Sequence, residues 1–230
     1  RAAASHTGAL AGLDQIYDAV FAQTGILRAK DMEEFFDAGK ALATQPPAAG
    51  RSVGIVTDAG GPGIMAVDEC ELKGLDVKRF SERTMQRFDK LKSEEKLPKF
   101  ATYVNPVDIT GSGTSEMFEL ATEILFEDPQ IHGILLLGLH HMPALQEDFI
   151  DRVAKVAGKY DKPIVACDIG ETEMALHTRF RFDKLGIPAY SSPEDAARAM
   201  NALVRYGLYL KKGKHLEDYV QSFLEGKRKK

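Results

Sequence analysis

From residue 51 onward, short apolar runs alternate regularly with amphipathic segments, and this alternation restricts the fold more than any other feature. The predicted strands are apolar along their length, whereas the segments between them have helical spacing. Strands without a polar face need cover on both sides, as in a parallel sheet between two helical layers. The pattern predicts an α/β protein with a flavodoxin-like, doubly wound parallel sheet and helices on both faces.

The predicted elements follow one another without long gaps. The strands are expected at 53–57, 76–79, near Tyr103, and at 133–139, 163–168 and 187–190. The helices are expected at 63–73, 81–92, 114–126, 143–160, 171–185 and 193–210. Two further helices, 13–24 and 32–44, precede the sheet, and Asp31 is a suitable N-cap for the second.

Breaks in the pattern predict three parts. Residues 1–50 form a helical segment that carries a histidine and ends in the linker 45–50, which contains two prolines. Residues 51–212 form the flavodoxin-like domain, and residues 213–230 form a charged C-terminal tail. The chain begins at Arg1 without methionine, so it is expected to be a fragment or a processed product.

Charge and composition exclude several classes of function. A net charge of -4 argues against nucleic-acid binding, which requires a basic face. No apolar run approaches the roughly 18 residues of a membrane span, and no signal peptide is evident. Cys70 and Cys167 are expected to be buried thiols in a helix and a strand, typical of a reducing compartment. A cytoplasmic protein is predicted.

A glycine-rich turn directly follows the first strand of the predicted sheet. Gly60, Gly61 and Gly63 expose backbone N–H groups at a helix N-terminus, where phosphate binds readily. A tight strand-to-helix connection with no ligand explains the glycines equally well. Because ligands of open parallel sheets bind beyond the carboxyl ends of the strands, segments 58–63, 105–113 and 138–142 are expected along one edge.

His6 is the other candidate, because it stands among small residues near the start of the chain. A histidine near a terminus is usually a solvated surface residue. Small neighbours, however, give the access that a phosphorylated side chain needs, and neutral imidazole is nucleophilic near neutral pH.

Three segments together resemble a known family: Ser5-His6-Thr7-Gly8, Ala59-Gly60-Gly61-Pro62-Gly63 and Asn105-Pro106-Val107-Asp108. In this order and spacing they are similar to the NDP-forming acyl-CoA synthetases, which include the ADP-forming acetyl-CoA synthetases and are relatives of succinyl-CoA synthetase. The resemblance runs across almost the whole chain.

The resemblance implies a function and partners. His6 would be the phosphohistidine carrier of an ADP-forming acid–CoA ligase, which converts acyl-CoA, phosphate and ADP reversibly to a carboxylic acid, CoA and ATP, with Mg²⁺. The helix after Gly63 would direct its N-terminus at the phosphohistidine. A CoA-binding domain and an ATP-grasp domain or β subunit would be partners, a small carboxylic acid or acyl phosphate the substrate, and this segment itself would hold no cofactor firmly.

Asp58 departs from the family pattern, which has asparagine at this position. An ionised Asp58 would repel phosphate unless it points away, is protonated or binds magnesium; capping the following helix is the structural alternative. Asn105 and Asp108 flank Pro106, and a structural Asx-turn is the favoured interpretation over a site role. His140 and His141 are expected to point in opposite directions and to bind no metal.

Two other functions compete with the synthetase. One is a regulatory, synthetase-like module of a protein acetyltransferase, in which the phosphorylatable histidine is typically not retained. The other is a response-regulator-like receiver, which requires an acidic cluster after the first strand, where only Asp58 fits. His132, His177 and His215 have no supporting context in the sequence.

Overall fold

The computed structural model describes residues 13–228, so that His6 and its neighbours lie outside the described residues. Two helices come first, α1 (Asp14–Thr24) and α2 (Met32–Thr44). The elements that follow are β1 (Val53–Thr57), α3 (Gly60–Leu72), α4 (Glu82–Ser93), β2 (Thr102–Tyr103), β3 (Val107–Asp108), α5 (Ser115–Glu127), β4 (Gly133–Leu137), α6 (Asp148–Ala157), β5 (Ile164–Cys167), α7 (Glu173–Lys184), β6 (Ala189–Tyr190), α8 (Pro193–Lys212) and α9 (Leu216–Arg228).

The sheet is doubly wound, as the sequence predicts. Its strand order is β2-β3-β1-β4-β5-β6, and every neighbouring pair is parallel except β2 and β3. After β1 the chain forms β2 and β3, and β3 pairs with one side of β1. Strand β4 then pairs with the other side of β1. The switch in strand order therefore lies between β1 and β4, the position at which open α/β sheets bind ligands.

Helices cover both faces of the sheet and create two cores. One face packs against α4, α5, α6 and α7 through the side chains of Phe88, Phe118, Phe149 and Phe182. The other packs against α3 and α8, with Ala41 of α2 in the same cluster. All residues of β1 and β4 are buried, which explains why these strands carry no polar face.

The linker 45–50 is packed against α8. The Ala48 N–H donates to the Leu203 carbonyl over 3.1 Å, and the Ile164 N–H donates to Gln45 Oε1 over 2.9 Å. Gly207 of α8 allows this approach, since a Cβ there would lie 1.9 Å from the Ala48 carbonyl oxygen. In the part of the chain that the structure describes, the two first helices are thus joined to the sheet by a buried connection.

Several local predictions were wrong. Residues 76–79 form no strand; Asp76 makes only an isolated bridge to Ser52. The side-chain amide of Asn105 prevents a longer pairing because it lies between β1 and this segment, accepting from the Ile55 N–H and donating to the Val53 and Lys78 carbonyls.

Other elements begin or end at residues that differ from the predicted ones. Helix α6 begins at Asp148 and not at residue 143, and Val107–Asp108 is a strand inside a segment expected to be a loop. The predicted tail 213–230 contains helix α9, which packs Tyr219 edge-on against Tyr206 of α8. Cys70 and Cys167 are buried thiols in α3 and β5, as expected, and Asp31 caps α2 by accepting from the Glu34 N–H.

Candidate functional site

The carboxyl ends of β1, β3, β4 and β5 bring three acidic residues to one edge of the sheet. Register pairs Thr57 with Asp108 and with Leu137, and Leu137 with Cys167. Asp58 and Asp168 follow these strands directly. Among residues 13–228, these side chains do not form a group of three or more that could hold a metal ion.

The glycine-rich turn presents an open helix N-terminus at this edge. Helix α3 begins at Gly60, and its N-cap Ala59 supplies no side-chain hydrogen bond. The Gly63 N–H is already used, donating to the Ala59 carbonyl over 3.1 Å, whereas those of Gly60 and Gly61 come before the first bond of the helix. Of the three glycines predicted to bind phosphate, Gly60 and Gly61 therefore have N–H groups available.

The three glycines differ in the space around them. A Cβ at Gly63 would lie 2.9 Å from Thr57 Cγ2, and one at Gly60 would lie 2.9 Å from Asp108 Oδ2. Gly61 is exposed and has no atom within 4 Å of a Cβ position. Gly63 thus allows close packing of the turn against Thr57, a Cβ at Gly60 would meet only the end of the Asp108 side chain, and Gly61 faces open space.

Asp58 does not cap α3. Its carboxylate turns toward the end of β4, where the Leu139 N–H donates to Oδ1 over 3.2 Å and to Oδ2 over 3.1 Å. Burial raises the pKa of Asp58 from 3.8 to about 7, with the Leu139 hydrogen bond opposing that shift. The helix-capping interpretation was wrong, because α3 has no side-chain cap and the Asp58 carboxylate is hydrogen-bonded to the end of β4 instead.

Asp108 and Asn105 have separate roles. Asp108 Oδ1 accepts from the Thr110 N–H over 2.8 Å, which is the expected Asx geometry. Asn105 makes no such turn: its amide bonds the middle of β1, with the Ile55 N–H at 3.1 Å and the Val53 carbonyl at 3.0 Å. The structure therefore brings Asp108 to the glycine turn but uses Asn105 inside the sheet.

His140 lies in a hydrogen-bonded group that the sequence did not reveal. Its Nδ1 is 2.7 Å from Asp168 Oδ1, and its Nε2 is 3.0 Å from Thr172 Oγ1. Arg179 is buried and donates to the Asp168 carbonyl over 2.7 Å. Burial raises the pKa of Asp168, and the hydrogen bond from His140 opposes the shift. The sequence feature that could have indicated this group is an acidic residue directly after a buried strand. Asp168 shares that feature with Asp58.

The remaining histidines are scattered. His141 is exposed and stacks edge-on against His140, with ring centroids 5.1 Å apart. His132 lies beside Gly50 at the opposite end of β4, where burial lowers its pKa. His177 is exposed on α7, and His215 is exposed before α9.

A cleft of about 550 Å³ opens beside His140, between the loop before α6 and helix α7. Its apolar lining includes Leu145, Phe149, Ile150 and Met174, and its polar lining includes His140 and His177.

No helix in residues 13–228 is both long and apolar enough to cross a bilayer.

Comparison with known families gives two matches along the chain. Residues 53–207 match the Ligase-CoA domain, and residues 1–42 match the succinyl-CoA ligase like flavodoxin domain. The second match includes α1, most of α2 and the segment around His6.

Curated relatives are longer than this chain. The alpha subunit of acetate–CoA ligase [ADP-forming] I from Pyrococcus furiosus is 36% identical over 94% of the chain, which spans 46% of that protein. Acetate–CoA ligase [ADP-forming] I from Archaeoglobus fulgidus is 34% identical over 95% of the chain, which spans 30% of it. The chain therefore covers less than half the length of these relatives.

A solved structure has the same fold. The dinucleotide forming acetyl-coenzyme A synthetase 1 of Ca. Korarchaeum cryptofilum, in complex with phosphate and ADP, superposes with a TM-score of 0.81 at 30% identity. The match covers 93% of this chain and 46% of that one.

Proposed function

Since the chain belongs to the Ligase-CoA domain family, we propose that it is one segment of an ADP-forming acyl-CoA synthetase. The complete enzyme would interconvert acyl-CoA, phosphate and ADP with a carboxylic acid, CoA and ATP. The observation that carries the proposal is the open N-terminus of α3 at the switch point of the sheet, in a chain whose relatives are named ADP-forming acetate–CoA ligases.

His6 is the proposed phosphohistidine carrier. An imidazole nitrogen of His6 takes the phosphoryl group from an acyl phosphate, whose carbon–oxygen bond stays intact and whose phosphorus–oxygen bond breaks to release the carboxylate. The same phosphoryl group then passes to ADP. The N–H groups of Gly60 and Gly61, with the positive end of the α3 dipole, would stabilise the transferring group.

The orientation of Asp58 supports this role for the turn. A carboxylate directed at the glycine N–H groups would repel a phosphoryl group, and Asp58 is directed instead at the Leu139 N–H. Its raised pKa, near 7, also reduces its negative charge at neutral pH. Asp58 therefore replaces the family's asparagine without directing its own carboxylate at the glycine N–H groups; the carboxylate that lies at Gly60 is that of Asp108.

The other components would come from outside this chain. Mg²⁺, ATP or ADP, and CoA would belong to the complete enzyme. The proposed partners are a CoA-binding domain and an ATP-grasp domain or β subunit, with a small carboxylic acid as substrate. We place the enzyme in the cytoplasm, where these metabolites are found.

Phosphoryl transfer to His6 tests the proposal. The chain would be combined with its CoA-binding and nucleotide-binding portions, incubated with labelled ATP and Mg²⁺, and assayed for acid-labile, alkali-stable phosphate. His6→Ala is expected to abolish the label, whereas His215→Ala, at an exposed position before α9, is expected to retain it.

Label that survives in His6→Ala would place the carrier elsewhere. Absence of label from the wild-type protein, with an active nucleotide-binding portion, would contradict the synthetase and favour the regulatory module of a protein acetyltransferase.

A further inference from the structure

Asp168, His140 and Thr172 form a continuous hydrogen-bonded chain from the core to the surface. The His140 side chain is 8% exposed and the Asp168 side chain is fully buried, whereas Thr172 is exposed. The Asp168 Oδ1 to His140 Nδ1 distance is 2.7 Å, and the His140 Nε2 to Thr172 Oγ1 distance is 3.0 Å. Acid, imidazole and hydroxyl are therefore arranged in the order and at the distances used in nucleophilic catalysis.

The proton positions in this chain depend on the charge of Asp168. When Asp168 is ionised, its oxygens only accept, so His140 Nδ1 carries the ring proton and Nε2 is an acceptor. The partner of Nε2 is the Thr172 hydroxyl, which must then donate. The Ala175 N–H donates to Thr172 Oγ1 over 3.2 Å, so this oxygen receives a hydrogen bond on its other side. His140 is thus oriented to remove the hydroxyl proton of Thr172.

Capping explains only part of this arrangement. Thr172 is the N-cap of α7, and its bond from the Ala175 N–H satisfies that role without a histidine. The buried Asp168 and the His140 ring are not needed for a cap. Two further hydrogen bonds fix the position of Asp168. The His140 backbone N–H donates to Asp168 Oδ1 over 3.4 Å, and the Arg179 guanidinium donates to the Asp168 carbonyl.

We propose that Asp168, His140 and Thr172 form a nucleophilic triad that accepts an acyl group from a small activated ester or thioester. Thr172 Oγ1 attacks the acyl carbon while its proton moves to His140 Nε2. The bond from that carbon to the leaving oxygen or sulfur then breaks, and the leaving group takes the proton from Nε2. Water, deprotonated by the same imidazole, later releases the carboxylic acid and restores the threonine.

A cleft of a size for a small acyl compound adjoins the histidine of the triad. It offers about 550 Å³, with apolar walls from Leu145, Phe149 and Met174; His140 lines it, and Thr172 lies outside the lining, hydrogen-bonded to His140 Nε2. The N–H groups of Glu173 and Met174, in the first turn of α7, come before the first hydrogen bonds of that helix and lie next to the nucleophile. This activity needs neither the nucleotide nor His6, so it succeeds or fails independently of the proposed synthetase function.

Acyl transfer to Thr172 can be measured on the 230-residue chain with p-nitrophenyl acetate. Release of p-nitrophenol would be followed by absorbance, and after acid quench the peptide that contains Thr172 would be examined for one added acetyl group. The wild type is expected to show both signals. Thr172→Asn, which keeps a capping side chain, is expected to lose the acetylated peptide and to lower the rate at least tenfold.

Two other variants separate catalysis from folding. Thr172→Ser keeps the cap and a hydroxyl, and is expected to retain the acetylated peptide. His140→Gln is expected to lose the activity, whereas His141→Gln, at the exposed neighbouring ring, is expected to match the wild type and so to exclude general reaction at surface histidines. Folding of each variant would be confirmed by circular dichroism.

Two results would overturn the proposal. One is a wild-type chain that shows neither p-nitrophenol release above the buffer rate nor acetylated Thr172. The other is p-nitrophenol release that is undiminished in Thr172→Asn, which would assign the reaction to a different group; a loss in His141→Gln would identify that group as the surface imidazole.

Discussion

Single residues at the carboxyl edge of the sheet are held by contacts between neighbouring strands. Asp58 follows β1 and accepts a hydrogen bond from the Leu139 backbone N–H. Asp168 follows β5 and accepts one from the His140 backbone N–H. The loop after β4 is therefore fixed from both sides by buried acids. Because a buried carboxylate without partners is costly, these hydrogen bonds allow acids to stay in a nearly dry position.

The raised pKa of Asp58 predicts how stability depends on pH. The native state keeps this proton up to a pH of about 7, whereas the unfolded state releases it near 3.8. Between these values the native state binds more protons, so stability falls as pH rises, by up to roughly 1.4 kcal/mol per pH unit from this group.

Asp58→Asn removes this contribution and keeps an oxygen that can accept from the Leu139 N–H. Urea denaturation between pH 5 and 8 is expected to show a less negative slope than in the wild type, and greater stability than the wild type at pH 8, by on the order of 1 kcal/mol or more. Asp68→Asn, on an exposed part of α3, serves as the control. Parallel curves for wild type and Asp58→Asn would show that Asp58 is ionised in the native state throughout.

At the scale of elements, the turn from β1 to α3 depends on close approach of backbone to side chain. Gly63 packs against Thr57, whose hydroxyl accepts from the Ala59 N–H over 3.0 Å and donates to the Ala59 carbonyl over 2.9 Å. These bonds restrict rotation of the Thr57 side chain. The methyl group at 2.9 Å from a Cβ at Gly63 therefore has little freedom to move aside.

Gly63→Ala is accordingly expected to destabilise the protein by about 1–3 kcal/mol through overpacking, in spite of the better helix propensity of alanine. Gly61→Ala is the matched variant in the same turn, with no neighbouring atom within 4 Å, and is expected to be neutral or stabilising by up to about 1 kcal/mol. Urea midpoints would measure both. Equal effects of the two substitutions would contradict the packing argument.

At the scale of the whole molecule, the helices α1 and α2 carry an unusual apolar surface. Ile16, Tyr17 and Val20 of α1 and Met32, Phe35 and Phe36 of α2 are between 46% and 66% exposed. Residues 1–42 match the succinyl-CoA ligase like flavodoxin domain, and the chain spans under half of its curated relatives. This surface is therefore expected to be covered in a longer protein that contains the rest of such a domain.

The effect of Phe36→Ser on the free energy of unfolding is predicted to differ between the 230-residue chain and a longer protein. In the 230-residue chain, where Phe36 is 63% exposed, it is expected to change the free energy of unfolding by less than about 0.5 kcal/mol. In a longer protein that contains the rest of such a flavodoxin domain, the loss is expected to reach about 2 kcal/mol or more. Phe100→Ser, at an 87% exposed position outside residues 1–42, is the control. An equal, small effect of Phe36→Ser in both proteins would mean that the surface stays uncovered.

The sequence alone determined the layered α/β fold, the burial of β1 and β4, the cap of α2 at Asp31 and the position of the glycine turn, because each depends on the periodicity or chemistry of residues close together in the chain. Only the tertiary structure decided that Asn105 bonds β1, that Asp58 faces Leu139 and that His140 joins Asp168 to Thr172. These partners lie 28 to 81 residues apart. Strand order and register bring them together, and buried polar groups then bond whichever partners the sheet places beside them.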